Sequence, residues 1–78
     1  MGSKYPVLKP SEVVKALGKF GFIFKSQKGS HAKYVKVSAV SKARIVIVPI
    51  THSEVAKGTL QSILEQAGLS LEEFIEKI

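Results

Sequence analysis

Apolar residues recur at helical spacing at Val13, Val14, Leu17 and Phe20, forming one stripe of a helix. Pro10 suits its first turn, Glu12 lies near the positive end of its dipole, and Gly21 suits its stop. This predicts a helix over about residues 10–20, after an extended lead-in over residues 1–9. The period then changes. Phe22 to Gln27 opens with aromatic and β-branched residues and reads as a strand. Gln27-Lys28-Gly29-Ser30 reads as a turn in which Gly29 supplies a positive φ, and His31 to Val37 as a second strand. Odd positions of that strand (His31, Lys33, Val35, Val37) and even positions (Ala32, Tyr34, Lys36) must point to opposite faces. A small polar connection covers residues 38–43, and Arg44 to Val48 (RIVIV) is apolar enough to lie centrally or be well covered. Pro49 ends that strand, and residues 50–57 read as a loop or short turn.

Leu60, Ile63, Leu64 and Ala67 make a second helical stripe, stopped by Gly68. Ser70-Leu71-Glu72-Glu73 is a capping box ahead of a third stripe, Leu71, Phe74, Ile75 and Ile78. The order α-β-β-β-α-α predicts a two-layer α+β fold, a three-stranded antiparallel sheet with helices on one face, in a single domain over residues 1–78.

Charge adds a direction. The net charge is +6, and it is unevenly spread: residues 1–57 hold eleven basic residues against Glu12 and Glu54, whereas residues 58–78 hold Lys77 against Glu65, Glu72, Glu73 and Glu76. Such a surface attracts a polyanion through phosphate contacts and counterion release. Eleven of the twelve cations are lysine, which favours backbone contact over the bidentate reading of base edges. The chain has no cysteine and no aspartate, which removes thiol chemistry, cysteine-bound zinc and any Ser-His-Asp triad. It also lacks a P-loop pattern, and two histidines with scattered glutamates do not form a metal-ligand spacing, so neither metal nor cofactor is expected. No apolar run approaches the roughly 20 residues of a membrane helix, and MGSKYPVLKP is unlike a signal peptide. A cytoplasmic location is therefore expected.

The candidate chemistry centres on His31, which follows a Gly-Ser turn with Lys28 and Lys33 near it in sequence and Lys25 and Lys36 one step further out. A neutral imidazole beside a phosphate can take the proton of a ribose 2′-OH, and nearby lysines can stabilise the charge that develops on phosphorus. Backbone N–H groups around Gly29, with the Ser30 hydroxyl, offer further donors to an anionic oxygen. The alternative is that His31 is one more polar strand residue. His52 follows the third strand in a segment that also carries Lys57; it suits a second acid or base, an RNA contact or a hydrogen bond within its loop. Tyr34 and the phenylalanines can stack on bases but are spaced like core residues.

Three blocks carry a family resemblance: Lys15-Ala16-Leu17 through Gly21-Phe22; Gln27-Lys28-Gly29-Ser30-His31 with Tyr34; and Val48-Pro49, His52 and the run Lys57 to Ser70 with Glu73-Phe74. Together, over roughly residues 10–75, they resemble the HicA (YcfA-like) toxin family. The resemblance implies a double-stranded-RNA-binding-like fold and a small, metal-independent mRNA interferase with His31 as its catalytic residue. It also implies a HicB-type antitoxin that binds the toxin and blocks the site; the toxin alone is expected to be a monomer. The helix from about residue 59 has no Lys or Arg before Gly68, so duplex binding through it is disfavoured and single-stranded RNA on the basic sheet is expected. A non-catalytic RNA-binding module of the same fold is the alternative function, and a module that docks an acidic protein is a third.

Overall fold

The computed structural model describes residues 6–37, 43–50 and 54–78. Most of the predicted 38–43 connection, the first five lead-in residues, and residues 51–53 with His52 lie outside the described residues. The elements are α1 (Pro10–Lys19), β1 (Ile23–Lys28), β2 (His31–Lys36), β3 (Arg44–Pro49), α2 (Lys57–Ala67) and α3 (Leu71–Ile75). The α+β order is the one expected.

The sheet is antiparallel in the order β1-β2-β3. Its inner face is made of in-register residues that meet the helices: Ala32 lies opposite Val48, and Tyr34 opposite Val46. Ala32, Val46 and Val48 are buried, and the two valines belong to one core with Val13 and Leu17 of α1, Leu60 and Ile63 of α2, and Phe74 of α3. The Phe74 ring lies parallel to that of Phe20 with centroids 6.4 Å apart, which ties α3 to the end of α1. Only Leu71 and Phe74 of the third stripe are buried; Ile75, the last residue of α3, and Ile78, beyond its end, are exposed.

One position in the sheet differs from the apolar pattern of RIVIV. β3 is an edge strand, covered on one face only, with Val46 and Val48 buried and Ile45 half exposed. Its free edge is closed by α2. The Ile47 N–H donates to Gln66 Oε1 at 3.0 Å, and Gln66 Nε2 donates to Ser62 Oγ at 3.1 Å. Arg44, at the start of the strand, donates to the Gln66 carbonyl at 3.4 Å. Pro49 sits two residues from Ile47, so its missing N–H falls on the same outward side and costs the sheet no ladder bond.

Two segments do more than their patterns suggested. Leu8 of the lead-in is buried and bridges to Val55, whose N–H donates to the Leu8 carbonyl at 2.7 Å. Helix caps otherwise follow the sequence: Glu12 accepts from the Lys9 N–H at 2.8 Å, and Ser70 and Glu73 form the capping box. Gly68 closes α2 with φ +72°, where a β-branched or bulky residue is strained.

Two outcomes test this account. Gln66→Leu strands the part-buried Ile47 N–H and is expected to cost about 1–2 kcal/mol, lowering the melting midpoint by roughly 5–15 °C. Gln66→Glu, which keeps the acceptor, should recover most of that loss in the same calorimetric scan. Phe74→Ala should cost about 3–5 kcal/mol, a large part of the stability of a domain this size, and show as loss of helical circular dichroism at 37 °C.

Candidate functional site

His31 is the first residue of the central strand and follows a two-residue hairpin loop. Gly29 takes φ +59° at the first loop position, and Ser30 has no positive φ, the arrangement of a primed hairpin turn led by glycine. The loop is braced twice: Gln27 Nε2 donates to the Gly29 carbonyl at 3.1 Å, and the Ile50 N–H donates to the Ser30 carbonyl at 2.8 Å. The second bond fixes the tip of the hairpin to the end of β3. The imidazole is exposed, with Nδ1 3.3 Å from the Ser30 hydroxyl. With Nδ1 engaged there, Nε2 is the nitrogen left to meet a substrate.

The face opposite the helices is ordered in three rows, each with one residue per strand. The first row is Lys28, His31 and Pro49; the second is Ser26, Lys33 and Ile47; the third is Ile23, Val35 and Ile45. Rows are two residues apart, or about 7 Å. Lys28 is therefore a direct cross-strand neighbour of His31, and Lys33 stands one row away.

Lys28 owes this place to an irregularity in β1. The register shifts between Phe24 and Ser26, so one residue, Lys25, is extra on that strand. Strict alternation from Phe24, which pairs with Tyr34 on the inner face, would put Lys28 on the inner face too. The extra residue turns Ser26 and Lys28 to the outer face, where a bulge commonly re-aims a side chain. Sequence spacing alone carried no signal of this.

The other expected residues are distributed differently. Lys36 is on the inner face, with its ammonium 5.9 Å from the Phe22 ring centroid, so it does not join the cations around His31. Arg44, the chain's one arginine, turns to α2. Lys57 is the first residue of α2, which begins two residues earlier than about residue 59; the helix therefore does carry a lysine at its N-terminal end. Among the aromatic residues, Phe20, Phe22 and Phe74 belong to the core or its margin. Phe24 is more than half exposed and meets Tyr34 edge-on at 5.8 Å, again on the inner face. Burial raises the Tyr34 pKa above the usual phenol value, so it holds its proton at neutral pH. None of the nine residues of the three outer rows is aromatic. Among the described residues, no three His, Cys, Asp or Glu side chains come together as metal ligands, and no helix is long and apolar enough to cross a membrane.

The arrangement offers one exposed imidazole, a hydroxyl on its Nδ1, and two lysines on the same face at successive rows. It suits proton transfer next to a bound phosphodiester. Comparison with curated proteins found no match. A family model described as the HicA toxin of bacterial toxin-antitoxin matches residues 10–69, from the start of α1 to just past α2. With most of its length matched in one block that includes the hairpin and His31, the chain belongs to the HicA toxin family, the toxin side of bacterial toxin–antitoxin pairs.

Proposed function

We propose that this toxin is an endoribonuclease that cleaves mRNA without a metal ion, with His31 as its catalytic residue, and that a HicB-type antitoxin neutralises it in the cytoplasm. The observation that carries the reading is the first outer row: an exposed histidine that follows a braced turn and pairs in register with a lysine across the strands, with its Nδ1 against a hydroxyl.

In this reading Nε2 of neutral His31 accepts the proton of a ribose 2′-OH. The 2′ oxygen bonds to the adjacent phosphorus and the P–O5′ bond breaks, leaving a 2′,3′-cyclic phosphate and a 5′-hydroxyl. The departing O5′ takes a proton from an acid; His52, the chain's other histidine, is the candidate for that role. Lys28 and Lys33 hold non-bridging phosphate oxygens and offset the added negative charge of the transition state. Ser30 holds the imidazole by its Nδ1, and the backbone of the Gly29-Ser30 turn adds donors to the phosphate. Lys57 at the head of α2 is a further candidate RNA contact. With lysines on the working face and the single arginine turned to α2, grip on the backbone outweighs readout of bases. Single-stranded RNA suits the open sheet, since its backbone can follow the lysines from row to row.

His31→Ala should lower cleavage of single-stranded RNA in EDTA by at least about a hundredfold, the usual worth of a positioned acid–base group, while RNA affinity changes little. Replacing the ribose at the cleaved position by deoxyribose should abolish the reaction; cleavage that persists would sink the mechanism. No cleavage by wild-type protein that still binds RNA would leave a binding module. Lys33→Ala should weaken binding across sequences and reduce the slope of log affinity against log salt by about one, measured by fluorescence anisotropy.

A further inference from the structure

The helix-free face changes character along its strands. The first row carries His31 and Lys28, and the second carries Lys33, but the third is wholly aliphatic: Ile23, Val35 and Ile45, side by side across all three strands. Ile23 is 67 % exposed and Ile45 is 50 % exposed, and Val37, just past the end of β2, is 77 % exposed. The core takes its valines from the other face, and none of the three belongs to it among the described residues; Val35, between the two exposed isoleucines, is half-buried. Leaving such side chains in water forgoes stabilisation that burial would supply.

RNA gains little from the row. Single strands are held by stacking on aromatic rings or arginine planes and by cations on phosphate, and the row has none of these. An apolar centre with charged residues at its margin is instead the anatomy of a protein interface. The protein partner is implied by the family, which pairs each toxin with an antitoxin. Its charge is implied by this chain, whose first 57 residues hold eleven basic residues against two acidic ones.

We propose that Ile23, Val35 and Ile45 form the anchor on which the antitoxin docks. The partner would set an apolar side chain on this row and carboxylates over Lys33 and Lys28, about 7 and 13 Å further along the strands. The inference rests on family membership and takes the His31 face, as the functional reading does, for the working face. Antitoxin and RNA then share the lysines and not the anchor. Affinity for RNA falls steeply with salt, whereas the apolar part of antitoxin affinity does not, so the antitoxin excludes RNA better as salt rises.

The test uses Ile23→Thr/Ile45→Thr, which keeps a β-branched residue in each strand, with Ile23→Thr alone as a milder variant and Lys15→Ala on α1 as a control. The probes are the cognate HicB-type antitoxin, titrated by calorimetry, and a 20-nucleotide single-stranded RNA, titrated by anisotropy; melting midpoints check the fold. The antitoxin Kd should rise by about thirtyfold or more in the double variant and measurably in the single one, as for loss of a central anchor. RNA affinity should stay within about twofold. An antitoxin Kd within about twofold of wild type in a folded variant overturns the proposal. So does a fall in RNA affinity alone, which would give the row to the substrate. The cleavage assay on His31→Ala reads the catalytic reading separately, and either can fail without the other.

Discussion

Everything in this molecule turns on the alternation of β2, the central strand, whose two faces have different tasks. Its even positions, Ala32 and Tyr34, pair with Val48 and Val46 on the face under the helices, where Ala32 is buried and Tyr34 packs against the core. Its odd positions, His31, Lys33 and Val35, are thereby held on the opposite face at a spacing the backbone fixes. A slip of one residue would put lysine into the core and valine-facing alanine into water, so burial of the inner face also sets the register of the outer one. The site residues need no pocket of their own. They are placed by packing that happens behind them.

That economy matters in 78 residues, where a buried site would compete with the core of the described residues. Both edges of a three-stranded sheet must also be managed. On β3, Gln66 reaches from α2 to the Ile47 N–H and occupies the edge. On β1 all six residues are exposed, and the edge carries lysines and a register shift at Lys25, features that discourage pairing with another chain. The same shift turns Lys28 towards His31's face. An irregularity that protects the edge thus also assembles the cationic row, and the braced Gly29-Ser30 turn keeps that row aligned with the end of β3.

The outer face carries two chemistries in sequence along the strands, polar and cationic at the hairpin end and aliphatic at the other. On the proposed function the toxin engages a polyanion and is silenced by a protein, and these demand different surfaces. Three rows on one sheet offer a surface of each kind, about 7 Å apart from row to row.

Much of the fold was legible in the sequence, since it rests on local periodicity. The stripes of α1 and α2, the capping box of Ser70 and Glu73, the turn at Gly29 and the two faces of β2 all follow from spacing and backbone preference. The place of the candidate His31 was legible too, at the start of a strand after a Gly-Ser turn among lysines. Tertiary structure alone decided the rest. RIVIV reads the same whether a strand is central or lies at an edge under a helix, because only the partners differ. Leu8 and Val55 are isolated apolar residues with no local period, and their burial together depends on a contact far along the chain. The side of the sheet taken by Lys28 depends on one extra residue in β1, and that of Lys36 on the register across β2 and β3. Periodicity fixes which residues share a face of one strand; only pairing between strands decides which faces are joined, and a single inserted residue reverses the answer.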